Sequence, residues 1–185
     1  MREKYVKKLV TCMKEAGLDA VMLCPGEEME FLAGFRPMMC ERFQGLFVKA
    51  DGSMFYICNL LYEDEFRKEL PDSVPLYAWF DGEVMTEVVG EVLKEHGLLG
   101  KKIGVNSDAQ AFNILEIMDK VDVTFCNAKP LLEEMRIHKD EEELENLRAS
   151  ARVVDQVFTE VLPLIKPATF SVALIVFINA WNEYL

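Results

Sequence analysis

Histidine is scarce in this sequence: there are two, His96 and His138, among 185 residues. Neither belongs to an H-x-H or H-E-x-x-H pattern. A catalytic zinc needs about three converging protein ligands, so each histidine reads as a surface residue. His96 precedes Gly97 at an expected helix end, where an imidazolium would favour the last carbonyls. Basic charge is also in deficit. Lysine and arginine total 20 against 32 acidic residues, a formal net charge of −12. A nucleic-acid binder would show a basic face, and an anionic membrane would be repelled. The longest apolar run, Val172 to Ile178, is far too short to span a bilayer. Neither nucleic acid nor membrane is expected as a partner.

Other absences narrow the field further. The first strand–helix turn, Leu23-Cys24-Pro25-Gly26-Glu27-Glu28, lacks the glycine spacing of a nucleotide-binding turn, and its acidic pair would repel phosphate. Nothing around Ser53, Ser107 or Ser171 resembles a nucleophile elbow. The N-terminal MREKYVKKLV has no apolar segment of the secretory kind. The five cysteines are odd in number and form no C-x-x-C pair, which argues against a disulfide framework or a zinc knuckle. Cys12 and Cys24 sit among apolar residues, as reduced buried cysteines do. A cytoplasmic location follows as the expectation.

Apolar residues, by contrast, make up 51% of the chain, enough for a sizeable core. The pattern alternates between helices and strands. Lys4 to Ala16 predicts an amphipathic helix with Tyr5, Leu9, Cys12, Met13 and Ala16 on one face, stopped by Gly17. Asp19 to Cys24 is a nearly continuous apolar run, suited to a strand covered on both faces. A short helix over Glu27 to Ala33 and an irregular loop from Phe35 to Arg42 follow. Gly45 to Ala50 and Ser53 to Asn59 read as strands joined by an Asp51-Gly52 hairpin turn. A helix is expected over Leu60 to Leu70, a strand over Val74 to Trp79 and a helix over Asp81 to His96, with Val84, Val88, Val92 and Leu93 inward. Lys102 to Asn106 is a strand, and Asp108 to Met118 a helix with Ala111, Ile114, Leu115 and Met118 inward. Val121 to Cys126 closes the set of strands, and Lys129 to Met135 makes a helical turn or two. The expected fold class is α/β: a three-layer, mixed six-stranded sheet with flanking helices, followed by a long C-terminal helix and a helical tail.

The most regular pattern starts at Arg136. Leu144, Leu147, Ala151, Val154, Phe158 and Val161 recur at spacings of three and four, one stripe of a helix. Asp140 stands as N-cap and Glu143 completes a capping box. Pro163 and Pro167 are expected to bracket the end of this helix, at a length of roughly 35 Å. The domain boundary falls between Arg136 and Asp140, giving an α/β domain over 1–136 and a junction helix with a tail over 137–185.

For a binding site, the loop from Phe35 to Arg42 is the best candidate. Arg36 and Arg42 can grip a carboxylate through paired hydrogen bonds. The competing reading is an ordinary surface salt bridge. Trp79, before Phe80-Asp81-Gly82, is either an exposed aromatic platform or a core residue. The carboxylate run Glu133, Glu134 and Asp140 to Glu143 reads as a solvated helix start, because successive helical residues point to different faces.

Three stretches resemble the family of Xaa-Pro aminopeptidases, prolidases and creatinase. AGLDAVMLCPGEEMEFLAGF, with its turn Phe31-Leu32-Ala33-Gly34-Phe35, is similar to the family's opening. KKIGVNSD, Lys101 to Asp108, is similar to its late strand. Arg136, Lys139, Glu143, Arg148, Ala151 and Lys166-Pro167 match its junction signature. The family's usual continuation, Lys-Pro-Gly-x-Thr-Glu, is replaced here by Lys166-Pro167-Ala168-Thr169-Phe170-Ser171.

The resemblance implies a ribonuclease-H-like N-terminal domain and the start of a pita-bread catalytic domain whose remainder is missing. It implies no catalytic residue and no metal ligand in this chain. Two divalent ions (manganese, cobalt or zinc) are expected only in a full-length relative, which would hydrolyse peptides with proline at the second position. The role implied for this chain is oligomerisation, as a homodimer, and the shaping of a substrate pocket. Phe35, Arg36, Arg42 and Trp79 are the pocket candidates. Leu144, Leu147, Ala151, Val154 and Phe158 are the candidates for a dimer or domain interface. The alternatives are a standalone interaction module and a fragment of a creatinase-like enzyme acting on carbon–nitrogen bonds.

Overall fold

The computed structural model describes residues 2–184. The chain divides into two units, one ending at Ile137 and one starting at His138.

The first unit opens with α1 (Glu3–Ala16), whose Tyr5, Val6, Leu9 and Met13 are buried. Gly17 ends it at φ 64°, in the left-handed region where a side chain would be strained. Then come β1 (Ala20–Leu23), α2 (Glu27–Ala33), β2 (Gly45–Lys49) and β3 (Met54–Asn59). The β2–β3 hairpin turns at Asp51-Gly52, as its dipeptide predicts. A single 3₁₀ turn, Leu60–Tyr62, leads into α3 (Glu63–Glu69). After it follow β4 (Leu76–Trp79), α4 (Met85–Glu95), β5 (Lys101–Val105), α5 (Ala111–Lys120), β6 (Val123–Asn127) and α6 (Lys129–Ile137).

The six strands form one mixed sheet in the order β4-β3-β2-β1-β5-β6. β2 is antiparallel to both β1 and β3, and every other pairing is parallel. Five strands therefore share one direction and β2 alone runs against them. Alternation sorts the side chains into two cores. Val21 and Leu23 of β1, Leu46 and Val48 of β2, and Tyr56 and Cys58 of β3 face α1, α2, α3 and α6. Ala20, Met22, Phe47, Phe55 and Ile57 face α4 and α5. The predicted three layers and the doubly buried β1 are thus present. Phe47 and Phe55 are register partners on β2 and β3, and their rings stack 4.7 Å apart.

Several expectations are corrected. The helix expected from Asp81 starts only at Met85, because Phe80 to Glu83 form a turn closed by the Phe80 carbonyl and the Glu83 carboxylate. Val84 is consequently exposed and Val89 is buried in its place, while Val92 and Leu93 are buried and Val88 partly buried, as expected. On α5 the buried residues are Asn113 and Ile117, whereas Leu115 and Met118 face solvent. The apolar spacing there allowed two faces, and the sheet selected the other one.

The second unit is α7, a single helix from Glu141 to Glu183. Asp140 caps it: its side chain accepts from the Glu143 N–H at 3.0 Å, and the Glu143 carboxylate accepts from the Asp140 N–H at 2.8 Å. Pro163 and Pro167 do not bracket its end but lie inside it. A proline fixes a helix-compatible φ and forfeits one backbone hydrogen bond. The other bonds of a long helix outweigh that loss here. The expected helix and tail are therefore one element of 43 residues, roughly 65 Å at 1.5 Å rise per residue. The run-by-run reading of apolar length is corrected with it. Within this continuous helix lies a stretch of 18 residues apolar enough, by length and composition, to cross a membrane.

Candidate functional site

Because five strands share a direction, their carboxyl ends meet at one edge of the sheet. The loops after β1, β3, β4 and β5 gather there. In open α/β sheets this is where ligands bind.

The turn after β1 is locked by β5. Asn106 is buried, and its side chain mimics a strand partner for Cys24. Its Oδ1 accepts from the Cys24 N–H at 2.9 Å, and its Nδ2 donates to the Cys24 carbonyl at 3.1 Å. Asp108 then covers Gly26, where an added Cβ would lie 1.8 Å from its Oδ2. A side chain at Gly26 would have to displace the Asp108 carboxyl, whereas the extended backbone there sets no limit. Burial, and then the neighbouring Glu28 carboxyl, hold the Asp108 carboxyl above the usual carboxylate range. Burial pushes the Cys24 thiol to about 12, so it is no nucleophile at neutral pH.

Residues 36–44 cross this edge and are pinned from several sides. Gln110 Nε2 donates to the Cys40 carbonyl at 2.9 Å. Gln44, buried, donates to the Met38 carbonyl at 3.0 Å and accepts from the Tyr56 hydroxyl at 3.1 Å. Trp79 Nε1 donates to the Phe43 carbonyl at 3.0 Å. Arg42 closes the set, with Nε donating to Asp81 Oδ1 at 3.0 Å and Nη2 to Oδ2 at 2.8 Å. Asn59 Nδ2 also donates to Asp81, at 2.9 Å. Hydrogen bonding from Arg42 holds the Asp81 carboxyl below the usual range, and the same pairing raises the guanidinium. A cavity of about 10 Å³ remains beneath the loop, lined by Cys24, Cys40, Gln44 and Asp108 among others. That is room for one water.

The four sequence-picked pocket residues do not converge. Arg42 and Trp79 anchor the same loop, one through its side chain and one through the Phe43 carbonyl. Trp79 is 8% exposed, so it is a core residue and not a platform. Phe35 lies against the other core, its ring 6.1 Å from that of Phe66. Arg36 is exposed, 3.8 Å from Glu30. Sequence reasoning did not single out Asn59, Asp81 or Gln44. Their signal was positional: Asn59 ends a strand, Asp81 follows one, and Gln44 precedes one.

Beside its charged groups, the edge shows apolar side chains to solvent. Met38, Met39, Leu60, Leu61 and Phe80 are all half exposed or more. The Arg42–Asp81–Asn59 bonds tie their three loops together. The residues present do not fit a metal centre: among the described residues no group of three histidines, cysteines or carboxylates converges.

His96 is corrected as well. It is no surface imidazolium. It stacks on Phe55 with ring centroids 3.8 Å apart, and its Nε2 lies 3.0 Å from the Tyr77 hydroxyl. Burial lowers its pKa from the ordinary value.

A mixed α/β domain with loops pinned at its carboxyl edge defines the class. Comparison with known proteins then places it. The Creatinase/Prolidase N-terminal domain model matches residues 6–138, and the chain belongs to that family. A putative dipeptidase of Bacillus subtilis is 23% identical over 81% of this chain and 42% of its own length. A probable dipeptidase of Mycobacterium tuberculosis is 25% identical over 89% of this chain and 44% of its own length. The crystal structure of a dipeptidase from Pyrococcus horikoshii is 29% identical, with a TM-score of 0.72 over 86% of this chain and 44% of that one. The chain thus spans under half the length of these relatives.

Proposed function

We propose that this chain serves as the non-catalytic N-terminal domain of a dipeptidase-like hydrolase, where it forms a dimer and supplies one wall of a substrate pocket. The observation that carries this reading is the carboxyl edge. Residues 36–44 are held by side-chain bonds from Gln44, Trp79, Gln110 and Asp81, and they carry an exposed apolar surface beside the Arg42–Asp81 pair. A rigid, half-apolar edge of this kind suits the side of a pocket completed by another domain or subunit. The whole protein would cleave dipeptides of the Xaa-Pro type with two divalent ions held by a domain beyond this chain. No step of that chemistry is assigned to the residues described above. The five cysteines are free thiols, which supports a cytoplasmic setting for the α/β unit.

The helix stripe supports the dimer. Leu147, Ala151, Val154 and Phe158 are exposed, and Leu144 is half-buried. Their three-and-four spacing is that of a coiled-coil seam. The chain should show no turnover of Xaa-Pro dipeptides with manganese added. Hydrolysis that survives repurification would overturn the non-catalytic assignment.

A further inference from the structure

The two halves of α7 differ in kind. From Glu141 to Glu160 it is charged, with an apolar stripe on one side. From Val161 to Ile178 a single charged residue, Lys166, remains. The apolar residues of this second half do not form a stripe. Leu174, Ile175, Val176, Phe177 and Ile178 are consecutive, so they point about 100° apart and surround the helix. All five are exposed, between 46% and 61%. A helix that covers a protein core needs one apolar face. A helix that is apolar all round belongs inside a large core or in lipid.

Further features select lipid over a protein surface. The segment 161–181 would be about 31 Å long at 1.5 Å per residue, against a hydrocarbon core of ~30 Å. Its two hydroxyls are satisfied within the helix: Thr169 Oγ1 donates to the Ile165 carbonyl and Ser171 Oγ to the Pro167 carbonyl, both at 3.0 Å. Hydrocarbon requires such internal pairing, so neither hydroxyl opposes insertion. Trp181 and Tyr184 follow at one end, where amphipathic rings favour the membrane–water interface. Lys166 lies about one and a half turns from the other end, within reach of the interface by extending its stem.

We propose that the C-terminal half of α7, from Val161 to Trp181, inserts into the hydrocarbon core of a lipid bilayer. This goes beyond the dipeptidase-like reading, in which a further domain is the competing cover for this half of α7. The attraction is apolar, because the chain carries a formal net charge of −12. Zwitterionic phosphatidylcholine vesicles should therefore suffice, and added salt should not release the protein.

The test is flotation of the full chain with phosphatidylcholine vesicles. The protein should rise with the lipid, stay there through high salt and alkaline carbonate, and lose at least tenfold in the floating fraction on Ile175→Glu with Val176→Glu. Trp181 fluorescence, isolated as the difference from Trp181→Phe, should shift to the blue and be quenched by lipids brominated near the headgroup end of the chain. Circular dichroism would confirm that the glutamate variant keeps its α/β unit folded. The proposal is overturned if the chain stays in the soluble fraction, if the glutamate variant floats equally well, or if Trp181 escapes the bromine. A soluble oligomer that ignores vesicles would equally overturn it, and would point to a second copy as the cover.

Discussion

At the scale of single residues, the informative side chains are polar groups set against the sheet. His96 shows how an environment reverses an expectation. Tyr77 donates its one proton to Glu95 at 2.7 Å, so the His96 Nε2–H is left to donate to the Tyr77 oxygen. Burial lowers the imidazole pKa; the Glu95 and Asp51 charges oppose that and Lys49 adds to it. Below the ordinary value of 6.5 the unfolded chain binds the proton more readily than the folded one. The stability owed to this site is therefore complete above that pH and declines as the pH falls beneath it. Urea midpoints measured between pH 7.5 and 5.5 should drop in the parent, and should drop less in His96→Gln. Equal declines in both proteins would refute this account. No local pattern signals this, since the Phe55 ring stacked on His96 arrives from a strand some forty residues away.

At the scale of elements, alternation and capping were legible and facing was not. β1 read correctly because an apolar run with no alternation can only be covered twice. The Asp140 cap read correctly because a capping box is local. The α5 face did not, because both of its sides carry apolar residues and only the sheet chooses. The extent of α7 did not either, since proline weakens a helix without always ending it. The loop over 36–44 is the element on which the proposed pocket wall rests. Its irregular sequence marked it, but its rigidity comes from Gln44, Trp79 and Gln110. Gln44→Ala would leave the buried Tyr56 hydroxyl and the Met38 carbonyl without their partner, a loss of about 1–3 kcal/mol for the buried group. Hydrogen exchange should then quicken across residues 36–44 more than in the β2–β3 hairpin. Protection that is unchanged in the loop would show that Gln44 does not hold it.

At the scale of the whole molecule, the chain carries two exposed apolar surfaces for which partners are proposed. One is the carboxyl edge of the α/β unit, and the other is α7. The stripe on the first half of α7 predicts a two-helix seam. Sedimentation in mild detergent should give a dimer for the parent and a monomer for Leu147→Glu with Val154→Glu, because two charges per helix would be desolvated across the seam. A dimer of unchanged strength in the variant would exclude this stripe as the interface. The second half of α7 is apolar on every side, the pattern of a segment surrounded by lipid.

By itself the sequence determined the α/β class, the six strands, the hairpin, the Asp140 cap and the family resemblance, because each rests on periodicity, on a few adjacent residues or on an ordered motif. Tertiary structure alone decided which residues meet. It brought Asn59 and Asp81 to Arg42, turned Trp79 inward, placed Phe35 in a different core from Trp79 and stacked a half-buried His96 on Phe55. Those pairings join residues distant in the chain, and their geometry follows from strand order and direction, which no local pattern encodes.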